Sequence, residues 1–310
     1  MTPPPPGPNH PVESVLKTIS DTEFGELTKL IRERTGIFLP PGKKALLAAR
    51  LLDRIHALGL RSFAEYHKCL LEEGSPELSR MIDAVATNET RFFRDVEQLE
   101  YIEEHLLPGF VAARSASETP RRIRVWSAGC STGEEPYSVA MMLLSRLLPD
   151  RVEIWGTDIS TTALDRARAA RFPEARLAEV PETFRRRFFV RDPKSGEYDL
   201  TATIRSAVHF QRLNLCDWPY PVTGKFDLIL CRNVLFYFDA ETRAKVARHL
   251  AERLSSKGAL VLGMAESLLA IRDKALGMEG AEQKLSPGLP PLKMVGPAVY
   301  TFAKPSRKKF

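Results

Sequence analysis

A chain of 310 residues with 44% hydrophobic residues has room for two domains and a sizeable buried core. No apolar run reaches ~18 residues and the start lacks a basic-then-apolar leader, so neither a membrane span nor a secretory signal is expected. A formal net charge of +6 suits an acidic partner without choosing between nucleic acid and protein; Cys69, Cys130, Cys216 and Cys231 lack metal or disulfide spacing, so reduced thiols in a cytoplasmic protein and no metal centre are expected.

Residues 1–14 carry six prolines and little to bury, the composition of a disordered or polyproline-like tail. From Asp21 to about Phe110 the apolar spacing is helical. Phe24, Leu27 and Ile31 mark a first helix ended by Gly36, and Pro40-Pro41-Gly42 break the chain before a second from Lys43 to Leu58. Leu46, Leu47, Leu51 and Ile55 line one side of it, and Lys43, Lys44, Arg50 and Arg54 decorate the rest, as a solvated face or as a surface for an acidic partner. Ser62 and Glu65 form a capping box, Ser75-Pro76 opens a fourth helix, and Val96 to Leu107 is a fifth. Between the last two lies Thr87-Asn88-Glu89-Thr90-Arg91-Phe92-Phe93-Arg94-Asp95. Its phenylalanines suit a core, while Asn88, Thr90 and Arg94 could line a ligand pocket.

A polar linker at 115–121 leads into an alternating pattern. Arg122 to Ser127 is a strand, and Gly129 to Gly133 a small-residue loop. Glu134 to Leu148 is a helix, with Val139, Met142, Leu143 and Leu147 at helical spacing. Strand, glycine loop and helix open a nucleotide-type α/β domain, where the backbone comes close to a ligand. The glycines do not spell the dinucleotide fingerprint, and Glu134 and Glu135 at the helix start would repel a pyrophosphate. They suit a ligand bearing positive charge and hydroxyls. A second strand, Val152 to Thr157, ends at Asp158, placed either to accept ribose hydroxyls or to cap the helix that Ser160 begins.

Residues 171–207 interrupt this rhythm. Phe188 to Arg191, the turn Asp192-Pro193-Lys194-Ser195-Gly196 and Tyr198 to Ile204 read as an antiparallel hairpin. Val208 to Arg212 and the continuous apolar run Phe226 to Cys231 resume the parallel strands. After the second come Asn233 and Tyr237, at the strand end where open α/β sheets bind ligands. Thr242 to Leu254 is a helix stopped by Ser255-Ser256-Lys257-Gly258, Ala259 to Met264 a strand, 272–298 loop-rich, and Val299 to Ala303 a last strand before a basic tail at 305–310.

Taken together, these motifs resemble the CheR-type chemotaxis receptor protein-glutamate O-methyltransferases over roughly residues 20 to 304. The likeness rests on Thr87-Asn88-Glu89-Thr90-Arg91-Phe92-Phe93-Arg94, Trp126-Ser127-Ala128-Gly129-Cys130-Ser131-Thr132-Gly133-Glu134-Glu135-Pro136-Tyr137-Ser138, Gly156-Thr157-Asp158-Ile159, Leu213-Asn214-Leu215, and Cys231-Arg232-Asn233-Val234 with Tyr237-Phe238-Asp239. It implies an all-α N-terminal domain (15–114) that binds receptor. A class I, Rossmann-like α/β methyltransferase domain (115–304) follows, with an inserted antiparallel β-subdomain near 171–207. S-adenosylmethionine (SAM) would be the methyl donor and a glutamate side chain in the cytoplasmic region of a methyl-accepting chemoreceptor the acceptor, giving a γ-methyl ester and S-adenosylhomocysteine.

Carried over by motif, Asn88, Thr90, Arg94, Glu134 or Glu135, Asp158, Asn214, Leu215, Asn233 and Val234 would contact the cofactor beside Gly129, with Arg94 and Tyr237 nearest the methyl transfer. Lys43, Lys44, Arg50 and Arg54 are the candidates for an acidic receptor surface. The turn Arg191 to Glu197 has one glycine and a proline, a departure from members that dock on a receptor tail peptide. Asp217-Trp218-Pro219-Tyr220 resembles the motif of amino-methylating nucleic-acid enzymes but precedes the strand it should follow, so no nucleic-acid partner is expected. The same cofactor-contacting residues would also serve a non-catalytic SAM-binding scaffold or a small-molecule O-methyltransferase. A monomer without membrane insertion is expected.

Overall fold

The computed structural model describes residues 19–115, 121–268 and 291–303. The proline-rich tail, most of the polar linker, the loop-rich stretch up to residue 290 and the basic tail lie outside the described residues. The chain divides into two compact units, one ending at Thr87 and the other starting at Asn88. In the first, α1 (Asp21–Thr35) begins at a capping box between Ser20 and Glu23 and ends at Gly36, whose φ of 75° is the left-handed conformation glycine adopts without strain. The expected proline break is one 3-10 turn, Pro41–Lys43, running directly into α2 (Lys44–Ala57). Helix α3 (Phe63–Leu71) starts on Ser62, and α4 (Glu77–Val85) starts one residue beyond the Ser-Pro signal. Leu27, Ile31, Leu47, Leu51, Ile55, Tyr66 and Met81 are fully buried.

The second unit opens with α5 (Val96–Tyr101), which continues through a π turn, Ile102–Leu106, into α6 (Leu107–Ser115). The helix runs past its expected end because Leu107 and Phe110 join Val125 and Met141 in one apolar cluster. Then follow β1 (Ile123–Ala128), α7 (Glu134–Leu144), β2 (Val152–Asp158) and α8 (Thr161–Ala169). The insertion holds β3 (Arg171–Phe172), α9 (Glu182–Phe188), β4 (Phe189–Arg191), β5 (Tyr198–Leu200) and α10 (Ala202–Ala207). The chain closes with β6 (Val208–Arg212), β7 (Phe226–Cys231), α11 (Ala240–Glu252), β8 (Leu254–Leu262), β9 (Leu292–Gly296) and β10 (Val299–Phe302). No helix among the described residues is long and apolar enough to cross a membrane.

The main sheet has the order β6-β2-β1-β7-β8-β10-β9, and its first five strands are parallel. From β1 the chain steps to β2 on one side and later to β7 on the other, so the crevice of such a sheet opens at the carboxyl ends of β1 and β7. The inserted strands form a separate antiparallel sheet, β3-β5-β4. Three sequence expectations are corrected. The hairpin's second strand stops at Leu200, because Ile204 and Ala207 are buried at helical spacing in α10. The Ser255-Ser256-Lys257-Gly258 helix stop lies inside β8, where Gly258 passes so close that a β-carbon would sit 2.8 Å from the Phe226 carbonyl. Part of the loop-rich stretch is strand β9.

The basic residues of the helical unit make contacts within it. Lys44 pairs with Asp21 at 2.7 Å, and Arg50 donates to the Val85 carbonyl and to Thr87 Oγ1. Arg54 grips Glu77 through two bonds of 2.8 Å, and Tyr66 donates to the same carboxylate. Arg50 therefore holds α2 to the end of α4 and Arg54 holds it to the start; of the four, Lys43 is exposed. Burial alone would raise the Glu77 carboxyl, but hydrogen bonds from Arg54, Tyr66 and Arg80 outweigh it and hold it below the usual range. A depressed native pKa stabilises the fold above the unfolded carboxylate pKa and is lost as pH falls through the native value. Urea denaturation of Arg54→Ala is expected to show a loss of about 3 kcal/mol at neutral pH, shrinking as the medium is acidified.

Candidate active site

Five loops meet at the carboxyl ends of the parallel strands. The one after β1 is drawn onto β2 by Gly129 N and Cys130 N, which both donate to the Thr157 carbonyl at 2.8 and 2.9 Å. Gly129 has a φ of 91°, and a β-carbon there would lie 2.4 Å from Val234 Cγ2, so the loop after β1 presses directly on the loop after β7. Gly133, at φ 95°, lets α7 start against Ala167.

Asp158, at the end of β2, accepts from Ser131 N at 2.8 Å and from Ser160 N at 2.9 Å. This carboxylate steadies the turn into α8, which Ser160 caps, and ties that turn to the glycine loop. Asn214, beyond β6, builds a local turn by accepting from Cys216 N and donating to Asp217, while Leu215 is buried. Asn233, in the loop after β7, has a φ of 59°. Ser131 Oγ and Asn233 Oδ1 are two of the nine buried side-chain polar atoms without a hydrogen-bond partner among the described residues. Two orphaned polar oxygens beside a glycine loop pressed to its neighbour fit a polar ligand, because each would otherwise carry an uncompensated desolvation cost.

The two glutamates at the start of α7 part company. Glu134, 1% exposed, accepts from Thr132 Oγ1 at 2.6 Å and lies 3.6 Å from Arg176 Nη1. Glu135 accepts from Ser127 Oγ at 2.6 Å and pairs with Arg232 Nη1 at 3.2 Å. Burial pushes the Glu135 carboxyl up despite Arg232 beside it.

Arg232, whose side chain is 2% exposed, also donates through Nη2 to the Arg94 carbonyl at 2.6 Å and to Asp95 Oδ2 at 2.8 Å. It joins the loop after β7, which carries Tyr237, to the 88–95 segment, which carries Arg94. That segment is pinned elsewhere too. Phe93 N donates to Ser138 Oγ on α7, Asn88 Nδ2 to Ser160 Oγ at 3.4 Å, and Arg176 to the Thr90 carbonyl. Phe92 packs edge-on against Phe172 and Phe189 of the insertion, and Phe93 stacks on Phe184.

Contacts within the second unit thus join Asn88 to Ser160, Glu135 and the Arg94 carbonyl to Arg232, Asp158 to the glycine loop, and Gly129 to Val234. Sequence reading missed Ser127, Ser138, Arg176 and Arg232 as supports. Arg232 had a signal, a lone arginine directly after a buried apolar strand. The hydroxyls had none. Trp218 of the Asp-Trp-Pro-Tyr segment stacks on His249 of α11, and Asp217 bonds Asn214.

Comparison with known proteins bears on the same residues. The family model for the CheR methyltransferase SAM binding domain matches residues 88–283, and that for the CheR methyltransferase all-alpha domain matches residues 22–86. A chemotaxis protein methyltransferase of Vibrio parahaemolyticus is 36% identical over 83% of the chain and 93% of its own length. One from Borreliella burgdorferi is 34% identical over 81% and 89%, and one from Escherichia coli 35% over 80% and 85%.

Replacing Arg232 by Met leaves Glu135 and Asp95 without their buried cation. Chemical denaturation of this variant is expected to show a loss of about 3–5 kcal/mol. Adding Glu135→Gln to it should recover part of the loss, since the second change removes one stranded charge.

Proposed function

The chain belongs to the CheR methyltransferase family and is a SAM-dependent methyltransferase of chemotaxis, and from that premise we propose that it esterifies glutamate side chains in the cytoplasmic region of a chemoreceptor. The observation that carries the reading is the network at the ends of β1 and β7, in which Arg232 joins Glu135 to the Arg94 backbone beside the loop that carries Asn233 and Tyr237. When bound, SAM supplies a methyl group on a cationic sulfur, and S-adenosylhomocysteine is the by-product.

The residues divide the work as follows. Asp158 presents a carboxylate to the hydroxyls of a ribose, and the orphaned Ser131 Oγ and Asn233 Oδ1 take further polar groups. Of the two glutamates, Glu135 is our choice for the cofactor's cationic end. Both carboxylates have a hydroxyl and an arginine beside them, and Glu135 is chosen because its partners Ser127 and Arg232 stand at the ends of β1 and β7, where the crevice opens. An acceptor glutamate has a pKa of ~4.3 and is already ionised at neutral pH, so no strong base is needed. Arg94 holds that carboxylate by charge-assisted hydrogen bonds and Tyr237 orients it, which is catalysis by positioning. All these groups come from one chain, so a monomer suffices, acting where the receptor's cytoplasmic region is. Among the basic residues of α2 and the turn before it, exposed Lys43 is the better candidate for meeting an acidic receptor surface.

The test of the reaction class uses methyl-labelled SAM and a purified cytoplasmic receptor fragment, followed by mild alkali. Label released as volatile methanol is expected, because hydroxide cleaves a carboxyl methyl ester; label that stays on the protein would mean N-methylation and overturn the reading. Tyr237→Phe should lower kcat roughly tenfold with little shift in the pH–rate profile. SAM affinity should weaken as the pH falls through the raised Glu135 pKa, since a protonated carboxyl no longer attracts a cation. Glu135→Gln should bind SAM more weakly with this pH dependence gone, as titration calorimetry across pH can show.

A further inference from the structure

Glu266 lies in the turn beyond β8, 8% exposed, away from every motif that marked the crevice. Its carboxylate receives three backbone N–H groups: Gly263 N at 2.8 Å and Asn233 N at 2.9 Å, both on Oε2, and Phe236 N at 3.2 Å on Oε1. Two of these donors belong to the loop after β7. Strands β7 and β8 are neighbours in register, Cys231 opposite Leu262, so the turn that leaves β8 stands beside the loop that leaves β7.

The loop needs an outside partner. It turns at Asn233 in the left-handed region and closes a single 3-10 turn at Leu235–Tyr237, too short to hold itself. Fixing Asn233 N and Phe236 N at their two hydrogen-bond distances sets the segment in which Val234 meets Gly129 and from which Tyr237 projects. Gly263 makes room for the arrangement. A β-carbon there would lie 2.8 Å from Glu266 Oε2 and 2.9 Å from Asn233 N, inside contact distance of both partners.

We propose that Glu266 is a positioning residue for the methyl transfer, a carboxylate staple that sets the Asn233–Tyr237 loop and through it the Tyr237 hydroxyl and the Asn233 side chain. It touches neither cofactor nor acceptor. The proposal rests on the functional reading above, in which Tyr237 orients the acceptor.

Two variants probe the staple from opposite sides. Glu266→Gln keeps the shape but turns one acceptor oxygen into an N–H donor facing the backbone donors. Gly263→Ala keeps the carboxylate but crowds it. Amide hydrogen exchange of the full chain should rise at Asn233 and Phe236 in both variants, with exchange in β1, β2 and β7 unchanged. That readout is independent of turnover. Placement errors of about an ångström cost up to ~100-fold, so kcat should fall roughly 10- to 100-fold. KM for the receptor fragment should change less than about threefold, because Glu266 lies off the acceptor in this assignment. In a Tyr237→Phe background, Glu266→Gln should cost kcat less than in the wild type, since both act through one hydroxyl. Faster exchange at Asn233 and Phe236 with kcat unchanged would overturn the positioning role while leaving the methyltransferase reading intact. Unaltered exchange in both variants would overturn the staple itself. Failure of the wild-type chain to methylate any receptor carboxylate would instead overturn the functional reading, and with it the catalytic part of the proposal.

Discussion

A single buried guanidinium holds the crevice together. Arg232 stands where the apolar strand β7 gives out, and its planar fork sends one nitrogen to Glu135 and the other to the Arg94 carbonyl and Asp95. A lysine ammonium is a point charge and could not span these partners in the same way. The backbone it grips is under tension, since Phe93 and Asp95, either side of Arg94, both have left-handed φ values, 52° and 53°. Non-glycine residues pay roughly 1–2 kcal/mol each for that conformation, and it persists only where surrounding contacts over-determine it. Arg232 on the carbonyl and Ser138 on the Phe93 amide are such contacts. Arg94 therefore leaves the backbone in a direction fixed from both sides.

The insertion between α8 and β6, which interrupts the alternation of strands and helices, serves the same segment. Phe92 is wedged edge-on between Phe172 and Phe189, and Phe93 lies on Phe184, so the aromatic pair beside Arg94 is clamped by the inserted subdomain. Arg176 from that subdomain also donates to the Thr90 carbonyl, and Arg91 pairs with Glu179. The segment that carries Arg94 is thus built into the unit from three directions: β7, α7 and the insertion. Placement of the Arg94 segment is here a matter of packed phenylalanines as much as of polar contacts.

Much of this is legible in the sequence, for identifiable reasons. Strand β7 reads as a buried run from Phe226 to Cys231 because helices or loops cover both its faces, and Gly129 and Gly133 stand where the backbone must turn with positive φ. Burial patterns and turn chemistry are local, and local signals survive in a linear string. The pairings are not legible. Nothing in Lys44-Ala45-Leu46-Leu47 says that Arg50 and Arg54 further along will be consumed by Val85, Thr87 and Glu77, because a charged residue on an amphipathic helix looks the same whether solvent or a buried carboxylate receives it. The start of strand β8 is obscured for a related reason. Ser255-Ser256-Lys257-Gly258 is polar enough to read as a helix stop, yet it continues a strand beside Phe226. The glutamates at the start of α7 read as a pair, and only the fold separates their partners.

The strand order has a consequence for how the chain must be made. Strand β1 lies at the heart of the sheet between β2 and β7, with Val125 opposite Leu228 and Ser127 opposite Leu230, partners that leave the ribosome roughly a hundred residues later. While the insertion and β6 are being synthesised, the apolar edge of β1 has no neighbour on that side. An unpaired central edge is a template for intermolecular association. Residues 129–225 therefore set how long that edge waits for its partner, although none of them belongs to β1 or β7.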